Sequence, residues 1–496
     1  MSESTTTVRT PGAAPVPTNP WPALWALVLG FFMILVDTTI VSVANPAIKA
    51  ALDPTTSNLD NVVWVTSAYL LTYAVPLLVT GRLGDRFGPK NIYLIGLAIF
   101  TLASLACGLS GSLEMLIIAR AAQGLGAALM TPQTMAVITR TFPAERRGAA
   151  MGLWGATAGV ATLVGPLAGG LLVDGFGWEW IFFVNIPVGI IAFVLAVRLV
   201  PQLETHPHRF DVLGVVLSAV ALFLIVFGLQ EGQHYEWAPW VWVMIVAGVA
   251  VLAVFVWTQA RTKSEPLVPL ALFRDRNFAI SNLAIAAVGF TVTSMALPMA
   301  FFTQLARGLT PTESALLLIP MAVLSGVLAP FAGRILDRVD PRVLLVPGLS
   351  LMVVGLVGYV LLMNTEAPVL LLLIPSAIIG VANAGMWGPL ATTATRNLPP
   401  QQAGAGSGIY NTTRTIGSVI GSAAIAAVMQ ARLEANLPGA GDAASGDFGG
   451  GGGMPPAVAE GFSTAMGQAM LLPAAVIAVG VVLVLFLRRP AHLAKR

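Results

Sequence analysis

Long apolar runs, separated by short polar or basic stretches, recur along almost the whole chain. A helix needs about 20 apolar residues to cross the hydrocarbon core of a bilayer. By that measure the pattern predicts fourteen membrane helices, near 21–46, 61–81, 91–110, 113–137, 147–172, 180–199, 211–229, 239–258, 278–304, 313–334, 343–363, 367–391, 403–430 and 466–487. The first run is too long for a signal-peptide core and is read as a span. Lys and Arg then set the orientation. If both termini are cytoplasmic, the inner loops and tails hold 21 of the 26 basic residues, and the outer loops hold only Lys49, Arg307 and Arg432. The polar, Pro- and Thr-rich residues 1–20 are expected to be disordered. Five consecutive glycines within 431–465 predict a flexible outer loop. Residues 489–496 form a cytoplasmic tail. In the cytoplasmic linker 259–277, EPLVPLALFRDRNF (265–278) reads as an interfacial element.

The chain also repeats. TRTFPAERRGAAMG (139–152) matches TRNLPPQQAGAGSG (395–408) at an offset of 256, and GRLGDRFGPK (81–90) is echoed by GRILDRVDPR (333–342) at 252. The expected architecture is an all-α polytopic membrane protein with two six-helix bundles in the same orientation, 21–200 and 278–488. Two further helices are inserted at 211–258. Parallel halves with a site between them near the midplane are a transporter architecture.

Composition narrows the chemistry. Of 496 residues, 56% are hydrophobic and only 10% charged, against roughly 25% charged in soluble proteins. A net charge of +3 gives no reason to expect nucleic acid as a partner. Cys107 is the single cysteine, and all four histidines fall in loops or the tail. Neither a disulfide framework nor a metal site is expected. No Ser/Lys dyad or pair of acids shares a depth, which argues against an enzyme. The GxxxxGK[ST] spacing of a phosphate loop is absent, which argues against a nucleotide-driven pump.

Three charges are expected deep in the membrane. At about 1.5 Å per residue, Asp37 lies roughly 15 Å and Arg120 about 10 Å from the outer ends of their helices, and Arg414 about 17 Å from the inner end of its own. Ionisable groups at such depth are costly and usually functional. Asp37 is read as the proton-accepting group. A cation beside it would favour its charged form and burial its neutral form. Arg120 could equally serve as a tether to backbone carbonyls, and Arg414 as a structural charge.

These motifs resemble the major facilitator superfamily, specifically its fourteen-helix drug:proton antiporters of the EmrB/QacA type, over residues 21–490. LVDTTIVSVANPAI (35–48) is similar to the family's first-span motif, with Ser42 and Asn45 departing from it. GRLGDRFGPK is similar to the loop between spans 2 and 3 through Gly81, Asp85, Arg86, Gly88 and Lys90, with Pro89 unusual. The resemblance implies a conformational switch there, although a plain basic turn would carry the same charges. IARAAQGLGAALMTP (118–132) matches the fourth-span motif and implies a proton-coupling role for Arg120. GATAGVATLVGPLAGGLL (155–172) carries the antiporter motif at Gly165, Pro166, Gly169 and Gly170, with Ala161 in place of the usual glycine; this motif implies export. SGIYNTTRTIGSVIG (407–421) resembles the thirteenth span and includes Arg414.

The resemblance implies a proton-coupled multidrug efflux antiporter in the cell membrane, driven by the proton gradient without a cofactor. Cargo candidates near the midplane are Trp64, Tyr69, Tyr73, Gln123, Phe290, Met295, Met299, Asn383, Trp387, Tyr410 and Asn411. Aromatic and Met side chains suit varied apolar cargo, though each could be packing filler. Because Asp37 is the one deep carboxylate, the expected cargo is lipophilic and cationic or neutral. Export of an endogenous metabolite, siderophore or lipid, or a non-transporting sensor or scaffold, would fit the same motifs less directly. The expected partners are small substrates, protons and the bilayer, with the protein monomeric and room left for a periplasmic adaptor.

Overall fold

The computed structural model describes residues 19–52, 60–143, 146–205, 211–232, 234–262, 265–437 and 456–489. The expected disordered segment before Asn19, the glycine run and the tail from 490 lie outside the described residues. No strand occurs among the described residues. Among the described residues, thirteen helices are long and apolar enough to cross a membrane, or fourteen if one bent pair is counted as a single span. Helices close every backbone hydrogen bond internally, as lipid requires.

In chain order the first half comprises α1 (Trp21–Leu52), α2 (Asp60–Ala74), α3 (Leu77–Phe87), α4 (Pro89–Gly108), α5 (Leu113–Thr141), α6 (Arg147–Phe176), α7 (Trp180–Phe183) and α8 (Asn185–Leu199). The inserted hairpin is α9 (Val212–Glu231) and α10 (Pro239–Arg261). The second half comprises α11 (Arg276–Phe301), α12 (Pro311–Leu316), α13 (Ile319–Leu336), α14 (Arg342–Leu362), α15 (Leu373–Thr395), α16 (Ala403–Asn436) and the helices Pro456–Ala469 and Leu471–Leu485. Side-chain caps fix several starts: Ser112 accepts from Met115 N, Asp275 from Phe278 N, and Thr310 with Glu313 forms a capping box.

Three expectations are corrected. The second span, expected near 61–81, runs on to Phe87. It breaks between α2 and α3 with a 47° bend, where Pro76 supplies no N–H and crowds the preceding turn. GRLGDRFGPK is not a loop, since α3 runs through Phe87. Only Gly88 makes the turn, at φ +88°, a conformation glycine adopts freely. The outer loop is also shorter than 431–465, because α16 continues to Asn436 and the next helix begins at Pro456.

Within the first half, α1 lies on α6 and α8, and α5 on α2 and α4. Within the second, α11 packs on α16, and α13 and α14 on α15. The halves meet where α6 crosses α13 and α15, and where α16 crosses α3 and α5. The large second-half core reaches α1, α5 and α6 of the first half through Leu24, Phe31, Ile138 and Trp154. Phe31 stacks on Trp154 with ring centroids 4.8 Å apart. Away from this core, Ile118, Leu171, Val243 and Leu361 are more than two-thirds exposed, as expected of helix faces turned to lipid.

The linker before α11 is not a free interfacial helix. It forms a short 3-10 turn, Leu270–Arg274, with Leu267, Val268 and Leu272 buried against Leu222, Phe255 and Phe278. Arg82 donates to the Pro266 and Leu267 carbonyls, and Gln259 bonds both Asp211 and the Val268 N–H. This segment therefore ties the inserted hairpin to both halves.

Candidate functional site

Asp37 sits in the middle of α1 with no exposed surface. Arg120, on α5, donates to Asp37 Oδ2 at 2.6 Å. Gln123, one turn further on, donates through Nε2 to Oδ1 at 2.9 Å, and Asn185 at the start of α8 donates to the same oxygen at 3.0 Å. The Gln123 amide is oriented because its Oε1 accepts from Arg120 at 2.7 Å. Ser104 on α4 completes the ring: it accepts from Gln123 and Asn185 and donates to the Phe182 carbonyl. Arg120 Nε also donates to the Val65 carbonyl, so the expected tether is present beside the ion pair. Among the described residues, the recorded hydrogen-bond partners of the carboxylate are all donors. A proton on Asp37 would remove the charge that these donors answer and weaken the pairing with Arg120.

The sequence argument placed Asp37 and Arg120 at one level, and the structure brings them together. It placed Gln123 among cargo residues, whereas Gln123 belongs to the Asp37 network. Asn185 and Ser104 were missed, because neutral polar residues near span ends are common and carry no charge signal. The carboxylate is also sealed in this conformer rather than open to an aqueous vestibule.

From Arg120 the contacts lead to the seam. Its guanidinium lies 4.1 Å from the Tyr69 ring centroid, and Tyr69 stacks on Tyr73 at 6.2 Å with ring planes 5° apart. The Tyr73 hydroxyl accepts from Arg414 on α16 at 3.1 Å and donates to Thr131 at 3.4 Å. Among the described residues no carboxylate lies within ion-pair distance of Arg414, and its buried Nε has no hydrogen-bond partner.

At the basic end of the molecule, two latches join the halves. Asp85, fully buried at the end of α3, accepts from the Gly404 and Ala405 N–H groups at 2.9 Å each. It also pairs with Arg140 at 2.5 Å. These amides open α16, where the helix dipole favours a negative charge. The second latch follows the repeat: Asp337 accepts from Gly148 N at the start of α6 at 2.9 Å, and Arg396 lies 3.8 Å from it. Closeness depends on glycine in both. A Cβ on Gly81 would overlap the Gly404 carbonyl oxygen, and one on Gly333 the Gly148 carbonyl oxygen. Of the other predicted switch residues, Lys90 bonds the Val197 carbonyl at the end of α8, and Arg86 lies over the Phe87 ring.

In the antiporter motif, a Cβ on Gly165 would overlap Thr39 Oγ1. This holds α6 against α1 two residues from Asp37. Pro166 lies within α6, whereas Gly170 has open space beside it. Several cargo candidates are packed against neighbouring helices in this conformer. Trp64 rests on Phe227 of α9, and Met295 and Met299 belong to the second-half core. Phe290 lies against Gly421, and Trp387 meets Gly155 across the seam. The Asn383 and Asn411 Oδ1 atoms and the Tyr410 hydroxyl are buried without partners. A groove of about 650 Å³, lined by apolar residues including Trp25, Phe32, Leu153, Val160 and Val327, lies between α1, α6 and α13. None of the predicted cargo residues lines it. Its lining is spread over three distant segments, which periodicity does not connect.

Residues 27–422 match the family model described as Major Facilitator Superfamily. The chain is 54% identical to the uncharacterized MFS-type transporter Rv1250 of Mycobacterium tuberculosis, over 97% of this chain and 83% of that one. It is 36% identical to the multidrug resistance protein Stp of the same species, over 82% and 76% of the two chains. Identity to the tetracenomycin C resistance and export protein of Streptomyces glaucescens is 33%, over 95% and 92%. Among solved structures, the proton:xylose symporter XylE superposes with a TM-score of 0.63 at 16% identity, over 92% of this chain and 94% of that one.

Proposed function

The chain belongs to the Major Facilitator Superfamily, and from that membership we propose that it is a proton-coupled efflux antiporter for lipophilic compounds, of the fourteen-helix EmrB/QacA type. It would work as a monomer in the cell membrane with both termini in the cytoplasm, energised by the proton gradient. Relatives named for multidrug resistance and for antibiotic resistance and export support the direction of transport. The observation that supports the reading is a carboxylate in the middle of a membrane helix, Asp37, paired with Arg120 and bonded by Gln123 and Asn185.

In the proposed cycle, the present conformer has the basic, cytoplasmic end latched. Protonation of Asp37 removes the charge that pairs with Arg120 and so loosens α1 from α5 and α8. Because Gly165 holds α6 to α1, and α6 lies on α13 and α15 across the seam, this loosening reaches the second half. The latches then open, cargo enters from the inner side, and the proton leaves to the cytoplasm. Alternating access is a rocking of the two halves.

Inside-out vesicles containing the protein test this reading with a panel of acidic, cationic and neutral lipophilic dyes. An acid interior should drive uptake of at least one dye, and a protonophore should abolish it. Uptake that needs ATP, or that ignores the gradient, overturns the proposal.

A further inference from the structure

Among the described residues, three buried guanidinium groups are answered by carboxylates, Arg120 by Asp37, Arg140 by Asp85 and, less closely, Arg396 by Asp337, while the part-buried Arg82 and Arg307 near helix ends are each answered by two backbone carbonyls. Arg414 is different. It stands on α16 about 16 Å from the start of the helix at 1.5 Å per residue. It is half-buried, and its recorded hydrogen bond goes to the neutral hydroxyl of Tyr73, on the opposite half. A guanidinium stays charged at any accessible pH. At membrane depth, such a charge without a counter-charge marks a functional group by default.

The surroundings sharpen the point. One turn before Arg414, on the same side of α16, the Tyr410 hydroxyl is fully buried without a partner. Arg414 Nε is likewise buried and unpartnered. Two unanswered donors thus lie within one helical turn. Nearby, Val419 one turn further along α16, with Ala74 and Leu71 of α2, is apolar. Asp37 is no competitor for a cation here, because Arg120, Gln123 and Asn185 already occupy its oxygens.

We propose that Arg414, with the Tyr410 hydroxyl beside it, is the anion-recognition point of the cargo site, so that exported compounds carry a carboxylate, enolate or phenolate on a lipophilic frame. This rests on the efflux reading above and reverses the charge expected from the sequence, which counted the single deep acid without knowing that it is consumed by its own neighbours. The Tyr69–Tyr73 stack between Arg120 and Arg414 gives the cargo charge a contact route to the proton site. An anion that draws Arg414 away from Tyr73 frees the ring lying next to the one under Arg120.

Binding of three matched probes, anthracene carboxylate, aminomethyl-anthracene and hydroxymethyl-anthracene, to the purified full-length protein in lipid nanodiscs tests the assignment. Wild type should bind the carboxylate at least about tenfold more tightly than the other two, the weight of one charge-assisted hydrogen bond. Arg414→Gln should lose that preference while still binding the neutral probe, which shows that it remains folded, and Arg414→Lys should keep part of it. Equal, weaker or absent binding of the carboxylate, or a preference unchanged in Arg414→Gln, overturns the proposal. So does displacement of the carboxylate by physiological chloride alone. The efflux reading is scored separately by the vesicle assay. Dye uptake without an Arg414-dependent preference sinks only this inference, and the preference without any proton-driven uptake sinks only the efflux reading.

Discussion

Replacing Asp85 with alanine should unlatch the basic end. The carboxylate accepts two backbone N–H groups from the first turn of α16 at 2.9 Å each. Hydrogen bonds to a charged group are worth about 1.5–3 kcal/mol apiece. Part of that is recovered when water reaches the opened helix end, so about 3 kcal/mol is a fair loss for the closed state. At 1.4 kcal/mol per factor of ten, the closed-to-open ratio falls roughly a hundredfold. Asp337 makes one such bond, with its Arg396 at 3.8 Å, so Asp337→Ala should cost about half as much and shift the ratio about tenfold. Gly81→Val should open the same end by steric overlap with Gly404, with no change of charge. Nitroxides at Asn91→Cys and Gln401→Cys, both exposed positions at that end, report the separation by pulsed electron spin resonance in a Cys107→Ala background. The unmutated latch should give a short, narrow distance. Asp85→Ala should move much of the population to longer distances, Asp337→Ala less, and transport should slow in both while cargo affinity stays measurable. Distributions that superimpose on the parent would refute the latch.

Three further outcomes follow from the site. Asn185→Leu removes a donor to Asp37 and should cut proton-coupled dye uptake more than tenfold, with a stability loss of about 1–3 kcal/mol; unchanged uptake in vesicles with matched protein levels would count against the network. Gly165→Ala should impair transport through overlap with Thr39, and Thr39→Ala should restore part of it; no rescue would mean that the α1–α6 contact is not the cause. If a monoanion leaves the cell as a proton enters, both move positive charge toward the cytoplasmic side. In inside-out vesicles a lumen-positive potential set with potassium and valinomycin should then accelerate uptake of the carboxylate probe, and indifference to that potential would contradict the exchange.

Helix number was legible because lipid demands apolar runs of a minimum length, and the repeat revealed the two related halves. The offsets of 252 and 256 also carried the latches in outline. Asp85 and Asp337, Arg140 and Arg396, and Gly148 and Gly404 are all matched pairs, but only three dimensions show that each Asp crosses to the opposite half's helix start. Depth along the helix placed Asp37 and Arg120 together. Depth alone could not tell that Arg414 faces a tyrosine instead of an acid, since azimuth depends on packing. The bend at Pro76 had a visible cause in the sequence, yet apolar length overrode it. Asn185 gave no signal, because an amide near a helix start reads as a boundary residue until its partner is seen.

The central claim is that Asp37 exchanges a proton with the cell's two sides as its donor cage opens and closes. Proton release into weakly buffered solution, recorded with a pH dye when cargo identified in the vesicle screen is added to the purified protein, tests it most directly. Wild type should release protons on binding cargo, and Asp37→Asn should bind cargo without releasing any. Equal release from the two proteins would contradict the account.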